Sequence, residues 1–217
     1  KTRGLVDWRF TTAATRYQLQ QELMKPYYHV FHFIGHGVFD TRKEPSQGCL
    51  TFQREDDGRS DLVAADDLAE LLQGSSVQLV LLNACETAAF DQQPFRAVAA
   101  ALVRAQIPAV IAMQYLVEDA AAIAFSRLFY TALANECPVD AAVCEGRKGI
   151  RGAGPASLDW GIPVLYMRAE DGVIFRKKAA EPPGGRKPLL PIDVEEMASL
   201  QRRLGIHQQK LAGLRRQ

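Results

Sequence analysis

Residues 77–82 read Val-Gln-Leu-Val-Leu-Leu and residues 109–113 read Ala-Val-Ile-Ala-Met. Near-continuous apolar runs of this length lack the polar alternation of a half-solvated sheet. They belong to strands covered on both faces. Between them lies an Ala-rich stretch, 95–104. After them comes a longer one, 119–135, whose Ala122, Phe125, Phe129 and Leu133 fall on one helical face. Buried strands alternating with helices predict an α/β fold with a mostly parallel central sheet and helices on both faces. A chain of 217 residues is long enough to bury roughly 70% of its unfolded surface, so the core needs no disulfide or metal staple.

The remaining segments extend the pattern. Thr11 to Met24 reads as a helix ended by Lys25-Pro26, and Tyr28 to Ile34 as a strand closed by Gly35. Cys49 to Phe52 reads as an edge strand or hairpin arm before the polar turn EDDGRSD. Ala64 to Leu72 is helical, with Asp66 and Asp67 in the first turn where the helix dipole favours negative charge. Ala141 to Ile150 is a shorter helix. Ile162 to Tyr166 and Val173 to Phe175 close the pattern as strands around the turn AEDG.

Beyond Phe175 the composition shifts. Residues 176–217 carry ten Lys/Arg and four Asp/Glu, a net +6 against −5 for residues 1–175. This divides the chain into a domain over 1–175, a Pro- and Gly-rich linker over 176–191 and an amphipathic helical appendage over 192–217. The appendage places Val194, Met197, Leu200, Leu204, Leu211 and Leu214 at spacings suited to docking, so it is expected to engage a protein activator or a helical partner. Its bases lack an aromatic stacking platform, and the whole chain is only +1, so no nucleic-acid partner is expected. No apolar run approaches the 18 or so residues of a membrane span, so no membrane partner is expected either. The chain opens at Lys1 without a signal peptide. It is read as cut from a longer cytoplasmic protein with free thiols.

Two strand ends carry the chemistry. One strand runs into Gly35-His36-Gly37, the other into Asn83-Ala84-Cys85-Glu86-Thr87. In an open α/β sheet the ligand crevice lies beyond the carboxyl ends of the strands, so parallel neighbours would present His36 and Cys85 at one edge. A cysteine thiol is a weak nucleophile until a nearby base raises its thiolate fraction, and an imidazole can do so. The amides of Gly37 and Cys85 are candidate oxyanion-hole donors. Cys49, Cys137 and Cys144 form no CxxC pair and read as ordinary core or surface thiols. His29 and His32 are read as alternating on one strand face, packed or hydrogen-bonded, and His207 falls in the appendage. His36 and Cys85 differ from these because both close a strand, and because their separation of 49 is similar to the caspase histidine-to-cysteine spacing.

The segments HFIGHG, LVLLNACET, AVIAMQYLVEDAAAIAFSRLFYTAL and PVDAAVCEGRKGI, in that order from about Ala14 to Phe175, resemble the CHAT domain family. The resemblance implies a caspase-like three-layer sandwich and a cysteine endopeptidase akin to caspases and separase. His36 would be the general base and Cys85 the nucleophile, with no third member required. By similarity to separase, an acid after the 109–113 strand lines a pocket for a basic P1 residue. Asp119 is the candidate and Glu118 its neighbour, though an acid at a helix start also simply suits the dipole. Where the family often has Trp, this chain has Gln114-Tyr115. The implied setting is bacterial signalling or defence, with a protein or peptide as substrate and no cofactor.

The alternative is a catalytically idle caspase-like scaffold that serves as a protein-interaction module. Nucleotide binding lacks a Gly-rich phosphate cradle, and a metal-dependent hydrolase lacks a ligand motif around His29, His32 and His36. The polar loop Asp40 to Gly48 follows the histidine and is placed to rearrange on activation.

Overall fold

The computed structural model describes residues 9–11, 14–25, 27–86, 94–115, 117–154 and 158–175, with the backbone alone for 84–86. Six strands make one mixed sheet: β1 (Val30–Asp40), β2 (Gln47–Gln53), β3 (Ser60–Ala64), β4 (Leu79–Glu86), β5 (Ala109–Met113) and β6 (Pro163–Met167), in the order β3-β2-β1-β4-β5-β6. Among the described residues five α-helices accompany them: α1 (Arg16–Leu23), α2 (Ala65–Leu72), α3 (Pro94–Arg104), α4 (Asp119–Ala134) and α5 (Val139–Ala153).

The apolar runs that announced buried strands occupy the middle of the sheet. Alternate residues of β4 divide between two cores. Val80 and Leu82 pack with α2 and α3, while Leu79 and Leu81 pack with α4 and α5. All four are fully buried, as is every residue of β5. Both faces are therefore covered by helices, which is why these strands carry almost no polar residue. On the second face, Phe125 and Phe129 of α4 stack with centroids 5.4 Å apart, and Gly146 of α5 lets that helix close onto the Phe125 ring. Burying each such ring contributes about 1.5–3 kcal/mol. On the first face, α1 is capped by Thr15, whose hydroxyl accepts from the Gln18 amide at 3.1 Å, and Arg16 pairs with Asp61 at 2.7 Å.

Several expectations need correction. Only β1–β4 and β4–β5 are parallel; β1–β2, β2–β3 and β5–β6 are antiparallel, so the sheet is mixed rather than mostly parallel. The β1–β2–β3 meander returns through short connections, while β6 comes back antiparallel to β5 after the two helices α4 and α5. The strand expected to close at Gly35 instead runs from Val30 to Asp40, because its distal half pairs with β2. The Cys49–Phe52 segment is the middle of β2, an inner hairpin arm, and the edge belongs to β3, whose SDLVA sequence is too short and polar to stand out. Residues Val173–Phe175 form no strand; Ile174 and Phe175 cover the second core as irregular chain. The first helix is shorter than Thr11–Met24, and α5 longer than Ala141–Ile150. The linker and the 192–217 appendage, with His207, lie outside the described residues.

Candidate active site

The parallel pairing of β1 with β4 runs from Val30 opposite Leu79 to Gly37 opposite Glu86. Within it, the Cα of His36 is the register partner of the Cα of Cys85. Two residues 49 apart in sequence thus become neighbours at the carboxyl end of the parallel ladder. The histidine does not terminate its strand, since β1 continues through Asp40 against β2. It lies one residue before the last parallel pair, Gly37 with Glu86. His36 is half-buried, and the side chain of Cys85 lies outside the described residues.

The glycines beside His36 have a packing reason that sequence did not reveal. A Cβ on Gly37 would run into the ring of Phe95 on α3, and one on Gly35 would sit 2.7 Å from the Phe33 ring. Both positions are pressed against the first core, and strand alternation leaves His36 on the opposite side of β1. Gly37 has register partners on two strands, Leu50 and Glu86. The Asp40 carboxylate is 8% exposed and is held by Arg42 Nε at 2.8 Å. That hydrogen bond is the chief reason its carboxyl lies below the usual range.

The candidate acids come from the next strand. β5 pairs with β4 through Leu82 opposite Ala112, so the segment from Gln114 to the start of α4 leaves the sheet at the same carboxyl edge. Asp119 is the first residue of α4 and half-buried, and burial pushes its carboxyl above the ordinary aspartate value. Glu118 occupies the N-cap position, is exposed and makes no side-chain cap bond. Tyr115 is exposed at 46%. Cys49 is buried beside Asp40, with burial pushing its thiol upward, while Cys137 is half-buried and Cys144 exposed. Among the described residues no cluster of His, Cys, Asp and Glu could hold a metal, and no helix is long and apolar enough to cross a membrane.

Sequence reading missed one polar contact on the second face. The hydroxyl of Tyr130, on α4, lies 3.1 Å from His32 Nδ1, joining residues 98 apart. Burial lowers the His32 imidazole to about 4, so it is neutral at physiological pH, and raises the Tyr130 phenol. His29, expected to share a face with His32, instead precedes β1 and is exposed; an odd separation of three residues cannot keep one strand face. Nothing in the local sequence marks the His32–Tyr130 pair, because the contact depends on how α4 crosses β1.

The chain is thus an α/β domain with both sheet faces covered, and with a histidine and a cysteine as register partners near the end of a parallel ladder. Comparison with protein families matches the CHAT domain over residues 3–166. The chain belongs to this family, which comprises caspase-like peptidases. No curated protein matches it.

Proposed function

We propose that this protein is a cysteine endopeptidase of caspase-like architecture whose dyad is His36 and Cys85. The observation that carries the reading is the register pairing of these two residues on adjacent parallel strands. Neighbouring strands lie about 4.8 Å apart and register partners share a face, a gap that a thiol and an imidazole can bridge. His36 takes the proton of the Cys85 thiol, and the thiolate attacks the scissile carbonyl carbon. The tetrahedral oxyanion is held by the amides of Gly37 and Cys85. Collapse breaks the C–N bond, and His36 hands its proton to the leaving amine. Water, deprotonated by the same imidazole, then hydrolyses the thioester. The substrate is a protein or peptide, the setting bacterial signalling or defence.

Asp119, with Glu118 beside it, is the S1 candidate for a basic P1 side chain. A half-buried carboxylate whose charge is disfavoured by burial gains when a guanidinium or ammonium arrives. Asp119→Asn is expected to lower kcat/KM for Arg- or Lys-P1 peptides by about 10- to 100-fold, the worth of a charge-assisted hydrogen bond. Peptides with a neutral P1 should be unaffected. Equal losses for both classes would remove Asp119 from the pocket.

The direct test is labelling with an acyloxymethyl ketone carrying Arg or Lys. Cys85 should be modified while Cys49, Cys137 and Cys144 are spared. The exposed Cys144 serves as the internal control for indiscriminate alkylation. If Cys85 stays unlabelled with a protein activator present, the chain is an idle scaffold for protein interaction, working through partners such as a helix that engages residues 192–217.

A further inference from the structure

The interface between β1 and α4 holds polar groups that the proposed dyad does not use. His32 is neutral and Tyr130 retains its phenolic proton, both because they are buried. With the Tyr130 hydroxyl as the donor to His32 Nδ1, the ring proton resides on Nε2. That Nε2 is buried and finds no hydrogen-bond partner among the described residues. The same is true of the Ser126 hydroxyl on α4, in a residue only 2% exposed. Ser126 precedes Tyr130 by four residues, so both lie on one face of the helix, the face that meets His32. Nor is Ser126 satisfied by its own helix, in contrast to Thr131, whose hydroxyl donates to the Arg127 carbonyl at 2.7 Å. A leftover donor and a leftover hydroxyl thus sit in one interface. Buried polar groups in folded proteins are nearly always paired, and where protein atoms do not pair them an internal water commonly does.

We propose that a single internal water bridges His32 Nε2 and Ser126 Oγ between β1 and α4. It accepts the imidazole proton and exchanges a hydrogen bond with the hydroxyl, completing a chain Tyr130–His32–water–Ser126. The chain ties the helix that begins at Asp119 to the strand that carries His36. The inference stands on hydrogen-bond accounting and holds whether or not the dyad is active.

Ser126→Ala separates the two cases by sign. If the hydroxyl were simply unsatisfied, deleting it would relieve a buried polar group and improve helix propensity, so the thermal midpoint would stay or rise. If it anchors a water, the midpoint falls by about 2–4 °C, the shift that a loss near 1 kcal/mol produces in a domain of this size. A crystal structure of the intact chain should show one density peak about 2.7–3.2 Å from both atoms. Nitrogen-15 spectra should show His32 as the Nε2–H tautomer. A raised or unchanged midpoint, a missing peak or an Nδ1–H tautomer would each overturn the proposal.

Discussion

Cys85→Ala is expected to leave the protein folded and to remove peptide hydrolysis, with kcat/KM falling by at least about 10³-fold for any substrate the parent chain cleaves. The size of the loss follows from the chemistry: alanine offers no lone pair to the carbonyl carbon, and His36 without a thiol to deprotonate has no covalent route to support. The fold should survive because β4 is held by its neighbours. Leu79, Val80, Leu81 and Leu82 are fully buried, and the ladder to β1 is made by backbone groups that the substitution leaves alone. Matched thermal midpoints for parent and variant, with cleavage lost only in the variant, are the expected pair of measurements. Undiminished turnover by the alanine chain would place the nucleophile elsewhere.

The second large effect falls on stability. Gly37→Ala should lower the thermal midpoint by several degrees, because the added methyl has to occupy space held by the Phe95 ring. Phe95 is 1% exposed and sits in the first core with Val98, Leu102, Val80 and Leu82, so the ring has no solvent-facing alternative. Overpacking a well-filled core costs roughly 1–3 kcal/mol, about 2–12 °C for a chain of this length. Trimming the obstacle tests the cause. Phe95→Leu alone destabilises by leaving space, yet combined with Gly37→Ala it should recover part of the loss, a coupling that only touching residues show. Strict additivity in that cycle would mean that the glycine is required for something other than the ring.

That packing relation bears on how the histidine is placed. Gly35 and Gly37 read as chain terminators when met in sequence, since glycine weakens a strand. In the folded chain they are strand residues that have lost their side chains to make room for Phe33 and Phe95. β1 therefore approaches the first core closely at Gly35 and Gly37. His36, between the two glycines, belongs by alternation to the opposite side of the strand, the side on which α4 packs.

What could be read along the chain was whatever depends on local pattern. The apolar runs at 77–82 and 109–113 marked the two covered strands, and the spacing of Phe125 and Phe129 marked α4. The motifs around His36 and Cys85 pointed to the family. Periodicity and burial are local consequences of where a residue faces, so they survive in one dimension. What pattern could not supply were relations set by partners remote in sequence. The extension of β1 to Asp40 is dictated by β2, the antiparallel return of β6 by β5, and the recruitment of β3 by the edge that β2 left open. The register that sets His36 opposite Cys85, at the one edge expected for both, and the contact between His32 and Tyr130 likewise arise only when β4 and α4 close onto β1. Hydrogen bonds between strands and contacts between layers are pairwise in space, and no single stretch of residues encodes its partner.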